Sequence, residues 1–165
     1  MMPPKPIQGH APMITILVVY HSQTDRTKKM AQSVARGVDS IANACAVLKE
    51  ARKASLEDLL SCDGLALGSP EYFGYMAGAI KDLFDRTYDQ ARGRKEIFKK
   101  PYVAFISAGN DGQGALRSIE RICIGYQFKK VSEPVIATGQ LGPDIFLRCE
   151  ELGKIIAAGC EAGIF

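Results

Sequence analysis

No apolar run in these 165 residues approaches the roughly 20 needed to cross a bilayer as a helix, so no membrane span is expected. No signal-peptide pattern opens the chain either, which leaves a cytoplasmic location as the expectation. Histidine is scarce: His10 and His21 are the only two, and neither clusters with acidic residues at ligand spacing, so no metal site is expected. The five cysteines (Cys45, Cys62, Cys123, Cys149, Cys160) are odd in number and lack any C-x-x-C pair. That excludes a disulfide framework and fits reduced, structural thiols. A net charge of +3 is too weak a basic balance to suggest nucleic-acid binding. The basic residues are dispersed except for Arg92, Arg94, Lys95, Lys99 and Lys100, read as a solvated loop, and the pair Lys129 and Lys130.

What is present is ordinary for a globular protein: 47% hydrophobic and 24% charged residues, in a chain long enough to bury a core without staples. Residues 1–12, Pro-rich and without periodicity, read as a disordered tail, and 13–165 as a single domain. From Met13 onward, strand and helix patterns alternate. Apolar and β-branched runs predict strands at Ile14–Tyr20, Ala44–Leu48, Gly64–Gly68, Tyr102–Ser107 and Val135–Thr138. Helical spacing predicts Lys28–Ile41, Ser55–Leu60, Gly78–Tyr88, Gly114–Tyr126 and Asp144–Ala162. Ser55 with Asp58 resembles a capping box, and Asp144 after Pro143 reads as an N-cap. Strands separated by crossover helices require an α/β architecture, a parallel sheet covered on both faces. In such sheets ligands bind beyond the carboxyl ends of the strands.

Three of those ends are unusual. After the first strand, Ser22, Thr24 and Thr27 place three hydroxyls in six positions that open straight into a helix. Helix capping alone needs one of them. Hydroxyls with free N–H groups at a helix N-terminus suit a phosphate dianion. After the third strand, Tyr72, Phe73 and Tyr75 lie in a glycine-flanked loop, either covering the core or flanking a planar ligand. After the fourth, Ser107-Ala108-Gly109-Asn110-Asp111-Gly112 is a flexible turn or a row of amides able to meet a carbonyl-rich heterocycle. Together they offer a phosphate cradle, an aromatic wall and an amide-rich loop, which flavin mononucleotide (FMN) would match.

These segments resemble a known family. Ser22-Gln23-Thr24-Asp25-Arg26-Thr27 is similar to the phosphate loop S/T-x-T-G-x-T of flavodoxins. Gly68-Ser69-Pro70-Glu71-Tyr72-Phe73-Gly74-Tyr75-Met76 resembles the G-T/S-P-x-x-F-G-x-M segment of WrbA-type NAD(P)H:quinone oxidoreductases and related FMN reductases. Ser107-Ala108-Gly109 and the glycines after it are similar to that family's S-T-G-x-G-G loop. The resemblance implies a three-layer α/β/α flavodoxin-like sandwich with a five-stranded parallel sheet of order 2-1-3-4-5. It also implies non-covalent FMN, with NAD(P)H as co-substrate and a quinone or similar acceptor. By position, Ser22, Gln23, Thr24, Asp25, Arg26 and Thr27 would form the phosphate loop, and Pro70, Glu71, Tyr72, Phe73 and Gly74 would line the isoalloxazine. Ser107, Ala108, Gly109, Asn110, Asp111 and Gly112 would meet its pyrimidine side.

Two departures stand out. Asp25 replaces the usual glycine, tolerating a left-handed backbone but bringing a negative charge toward a phosphate. The segments Lys49–Ala54 and Gly139–Pro143 are short where WrbA-type enzymes carry insertions that complete a tetramer; a dimer or tetramer is the resemblance's expectation. The flavin would carry the chemistry, with no side chain demanded as acid or base. A flavodoxin-type electron carrier is the alternative, against which the pI of about 8.6 argues. A non-catalytic FMN-binding protein is the third reading. A receiver domain is excluded because His21-Ser22 and Gly68-Ser69 stand where it needs acidic residues.

Overall fold

The computed structural model describes residues 12–165, so the expected tail lies, Pro12 apart, outside the described residues. Strands β1 (Ile14–Tyr20), β2 (Ala44–Glu50), β3 (Gly64–Tyr72), β4 (Tyr75–Met76), β5 (Pro101–Ala108), β6 (Lys129–Lys130) and β7 (Val135–Thr138) are joined by five helices. These are α1 (Arg26–Asp39), α2 (Leu56–Ser61), α3 (Gly78–Ala91), α4 (Gln113–Tyr126) and α5 (Pro143–Glu161). The sheet runs β2-β1-β3-β5-β6, with β7 also pairing β5 and β4 pairing β3. Counting only the long crossover strands, this is the flavodoxin-like 2-1-3-4-5 order, all parallel. Two details go beyond the expected five strands. The last strand is split, with β6 on the start of β5 and β7 on its end. Pro134, which has no N–H to donate, lies in the gap between them. The third strand continues past Gly68 into an antiparallel pairing with β4.

Alternation along β1 explains why Ile16–Tyr20 is apolar throughout. Ile16, Val18 and Tyr20 pack on Met30, Val34 and Val38 of α1 and on α5, whereas Leu17 and Val19 face the opposite layer. That second layer holds Leu59 of α2, Ile80, Leu83 and Phe84 of α3, and Ile119 of α4. Near the centre, Gly68 pairs with Phe105, and a Cβ on Gly68 would stand 2.1 Å from the Phe105 ring. Only glycine admits that ring there.

The capping box forms as expected: Asp58 N–H donates to Ser55 Oγ at 3.3 Å, and Ser55 N–H donates to Asp58 Oδ2 at 2.9 Å. Asp144, in contrast, is inside α5; Gly142 holds the N-cap and Pro143 the first turn, where its missing N–H costs nothing. Lys100 is the second correction. It is buried rather than solvated, its Nζ donating to the carbonyls of Leu59 and, at 2.5 Å, Cys62. Those carbonyls close helix α2, so the ammonium sits where the helix dipole favours a cation. All five cysteines are free thiols. Among the described residues no helix is long and apolar enough to cross a membrane.

Candidate functional site

The loops after β1, β3 and β5 converge on one open cavity of about 370 Å³ at the carboxyl edge of the sheet. Its lining contains Ser22, Gln23, Thr24, Arg26 and Thr27 from the first loop, and Pro70, Glu71 and Tyr72 from the second. Ser107, Ala108 and Gly109 come from the third, together with Gly139 after β7. Asp25, Phe73, Gly74, Asn110, Asp111 and Gly112 are not in its wall.

The first loop reaches this shape by a left-handed residue. Asp25 has φ 63°, the conformation that glycine adopts most easily, and its exposed side chain makes no capping bond. The first turn of α1 therefore carries neither a side-chain cap nor an acidic residue. Helix α4 contrasts with it. There Asp111 Oδ1 accepts from Gln113 N–H at 3.0 Å and Glu71 Oε2 accepts from Ala115 N–H at 3.1 Å. One helix N-terminus is already occupied by carboxylates, and the other is left open to an anion. Buried Thr27 ties the first loop to the third through a 2.8 Å bond between its Oγ1 and Ser107 Oγ.

The aromatic loop is a β-hairpin with Phe73 (φ 52°) and Gly74 (φ 70°) at its turn. Positive φ at both positions is what a two-residue type I′ turn requires. Ser69 Oγ accepts from Ala77 N–H at 2.9 Å, and Ser118 Oγ accepts from Met76 N–H at 3.1 Å, which fasten the hairpin from behind. A Cβ on Gly114 would stand 2.0 Å from Gly74 O, so the turn lies directly on α4. Consequently Tyr72 faces the cavity, while Phe73 is fully exposed and Tyr75, on the other strand of the ribbon, lines a groove along α4.

Among the residues that sequence reasoning singled out, Gly112 is spent on the fold: it is the N-cap of α4 at φ 73°, packed beneath Ile136. Gly139 lies beyond the three strand ends that the sequence marks as unusual. The signal was a glycine directly after β7, with φ 74°. His21 lies beside the cavity, its ring edge-on to Tyr72 with centroids 6.1 Å apart. Burial, and then the Arg52 charge, pull its pKa below the ordinary imidazole value, with Glu50 opposing. Among the described residues, no three His, Cys, Asp or Glu side chains gather as metal ligands would.

Comparison with known proteins places this arrangement. A flavodoxin of Aquifex aeolicus is 40% identical over 99 residues, 60% of this chain and 52% of that protein. The chain thus spans about half the length of that relative. An NAD(P)H dehydrogenase (quinone) of Solidesulfovibrio magneticus is 27% identical over 173 residues, covering 88% of this chain and 85% of that one. An archaeal flavodoxin structure matches 90% of this chain and 99% of its own, with TM-score 0.77 and 21% identity. A WrbA-like protein from Agrobacterium tumefaciens matches 90% and 98%, with TM-score 0.77 and 18% identity. At those identities the structures speak for the fold alone. The model of the family described as NADPH-dependent FMN reductase matches residues 31–140, and the chain belongs to that family.

Proposed function

We propose that the cavity holds FMN and that the protein passes electrons from NAD(P)H to a quinone or similar small acceptor. The observation that carries this reading is the uncapped, acid-free first turn of α1 opening into a cavity walled by Tyr72 and Gly109. The lining fits the cofactor part by part. Ser22, Thr24 and Thr27 offer hydroxyls and the α1 turn offers N–H groups to a phosphate, with Arg26 adding positive charge. Pro70 and Tyr72 supply apolar surface for a flat ring and keep water from it. Backbone amides near Gly109 and Gly139 are available to the ring's polar edge, where such donors stabilise developing negative charge.

Bound FMN supplies the two-electron chemistry, so that NAD(P)H, a proton and a quinone give NAD(P)⁺ and a hydroquinone. The residues of the chain bind, orient and exclude water; none is assigned a proton transfer. Asn110, Asp111 and Gly112 support the third loop from outside the cavity, and Phe73 and Gly74 shape the hairpin turn. Free thiols suit a cytoplasmic setting. Assembly into a dimer or tetramer belongs to the same proposal.

An electron-carrier role has one specific observation in its favour, the 40% identity to a protein named flavodoxin. Net charge of +3 weighs against it, since such carriers are steered by acidity. An absorption spectrum of the purified protein with FMN, followed by anaerobic NAD(P)H, separates the readings. Flavin bands that bleach rapidly support the reductase. Bound flavin that nicotinamide cannot reduce supports the carrier, and absence of flavin binding removes both.

A further inference from the structure

The hairpin has a second side. Between its β4 strand and helix α4 runs a groove of about 680 Å³, whose lining includes Gly74, Tyr75, Arg117, Ser118, Arg121 and Ile122. Arg117 and Arg121 are one helical turn apart, so they project from the same face of α4. Both are exposed, and neither meets a carboxylate among the described residues, where eight other cation–carboxylate contacts occur. The carboxylates near the head of this helix, Glu71 and Asp111, are engaged with its N–H groups. Two like charges on adjacent turns repel, and a bound anion is the arrangement that offsets them. Guanidinium forks favour phosphate oxygens in particular.

Aromatic surface accompanies the charge. Tyr75 is exposed in the groove wall, and Phe73 stands fully exposed on the turn that separates the groove from the flavin cavity. Phe73 also has a left-handed backbone, an uncommon state for an aromatic residue. It contributes no burial that would compensate. A cation pair beside two open aromatic faces is the chemistry of a nucleotide site.

We propose that this groove receives the adenosine phosphate half of the nicotinamide dinucleotide, with Arg117 and Arg121 on its phosphate oxygens and Tyr75 and Phe73 against its apolar surfaces. The inference rests on NAD(P)H being the electron donor, and it gives the donor a path over the hairpin turn from the flavin cavity to the arginines. Phosphate oxygens are common to the 2′-phosphate of NADPH and to the pyrophosphate of either dinucleotide.

The test is the FMN-loaded Arg117→Gln/Arg121→Gln double variant. Anaerobic stopped-flow flavin reduction is measured with NADPH and with NADH, and calorimetric binding with NADP⁺ and NAD⁺. The expected result is a KM for NADPH raised at least tenfold and NADP⁺ binding weakened equally, with kcat retained. FMN affinity and melting temperature should stay at wild-type values. A loss confined to NADPH and NADP⁺ places the 2′-phosphate on the pair, and an equal loss with NADH and NAD⁺ places the pyrophosphate there. Arg117→Lys/Arg121→Lys should recover part of the loss, because charge returns without the fork. Wild-type KM and binding in the Gln variant would overturn the inference while leaving the reductase intact. So would unchanged nucleotide kinetics with loss of reactivity toward an acidic protein acceptor. Wild-type flavin that neither nucleotide reduces would instead remove the reductase reading, and this site with it.

Discussion

Asp25 shows how one residue can be tolerated by the backbone and still oppose the ligand. Its φ of 63° is reachable for aspartate because a short polar side chain suffers less in the left-handed region than a branched one. Its exposed carboxylate makes no bond to α1, but it sits at the entrance to the helix and its negative charge opposes a phosphate there. Asp25→Gly should therefore bind FMN about two- to fivefold more tightly, from roughly 0.5–1 kcal/mol of removed repulsion. Fluorescence titration checks this; unchanged or weaker affinity would contradict it. His21 makes a prediction of a different kind. Its folded pKa is lowered by burial and by Arg52, so the unfolded chain takes up a proton first as pH falls. Its contribution is complete above the unfolded value of about 6.5 and is lost as pH falls through the lower folded value. Urea unfolding should show stability declining below about pH 6.5, and His21→Asn should flatten that decline. An identical slope in the variant would mean that other groups govern it.

At the scale of elements, close approach and buried polarity govern stability. Helices α1 and α5 touch backbone to backbone: a Cβ on Gly153 would lie 2.1 Å from Val34 O, and one on Gly37 would lie 1.9 Å from Glu150 O. Alanine gains about 1 kcal/mol over glycine in a helix interior. Forcing two backbones apart costs more, because neither partner atom is the end of a flexible side chain. Against an overpacking cost of about 1–3 kcal/mol, Gly153→Ala should thus lose up to about 2 kcal/mol net, seen as a lower urea midpoint. Lys100 is the polar counterpart. Its Nζ serves the carbonyls of Leu59 and Cys62, so Lys100→Met keeps the length of the chain and orphans its partners. A loss of about 2–4 kcal/mol is expected in chemical denaturation, since each buried carbonyl left unpaired costs about 1–3 kcal/mol. A variant as stable as wild type would show that water replaces the ammonium.

For the whole molecule, the consequence of the cavity is a linkage. A ligand that binds only the folded chain stabilises it by about 2.7 kcal/mol at one hundred times its Kd. For a protein of this size each kcal/mol moves the melting temperature by roughly 2–4 °C. FMN at that excess should raise Tm by about 5–11 °C in a scanning calorimeter, and riboflavin at the same concentration, lacking the phosphate, by less. Equal shifts would detach the phosphate from the α1 turn.

Periodicity alone was enough for the order of the five long strands and the helices, though not for the short β4 and β6: Ile14–Tyr20 and Val135–Thr138 end where the apolar runs end. Local rules also sufficed for the Ser55–Asp58 capping box, because both partners lie within one turn. What the tertiary structure decided was which loop residues share a wall. Phe73 and Tyr75 read, like Tyr72, as aromatic loop residues, yet the two-residue turn sends Phe73 into solvent and leaves Tyr75 on the other edge. Gly139 enters the cavity from a strand end 31 positions after Ala108, and Lys100 vanishes beneath a helix some 40 positions earlier. Strand and helix patterns are short-range, set by side-chain period and by the backbone's own hydrogen bonds. Burial of an ammonium, the pairing of Thr27 with Ser107 and the composition of the cavity depend on distant segments meeting. That is fixed only when the sheet packs its two layers.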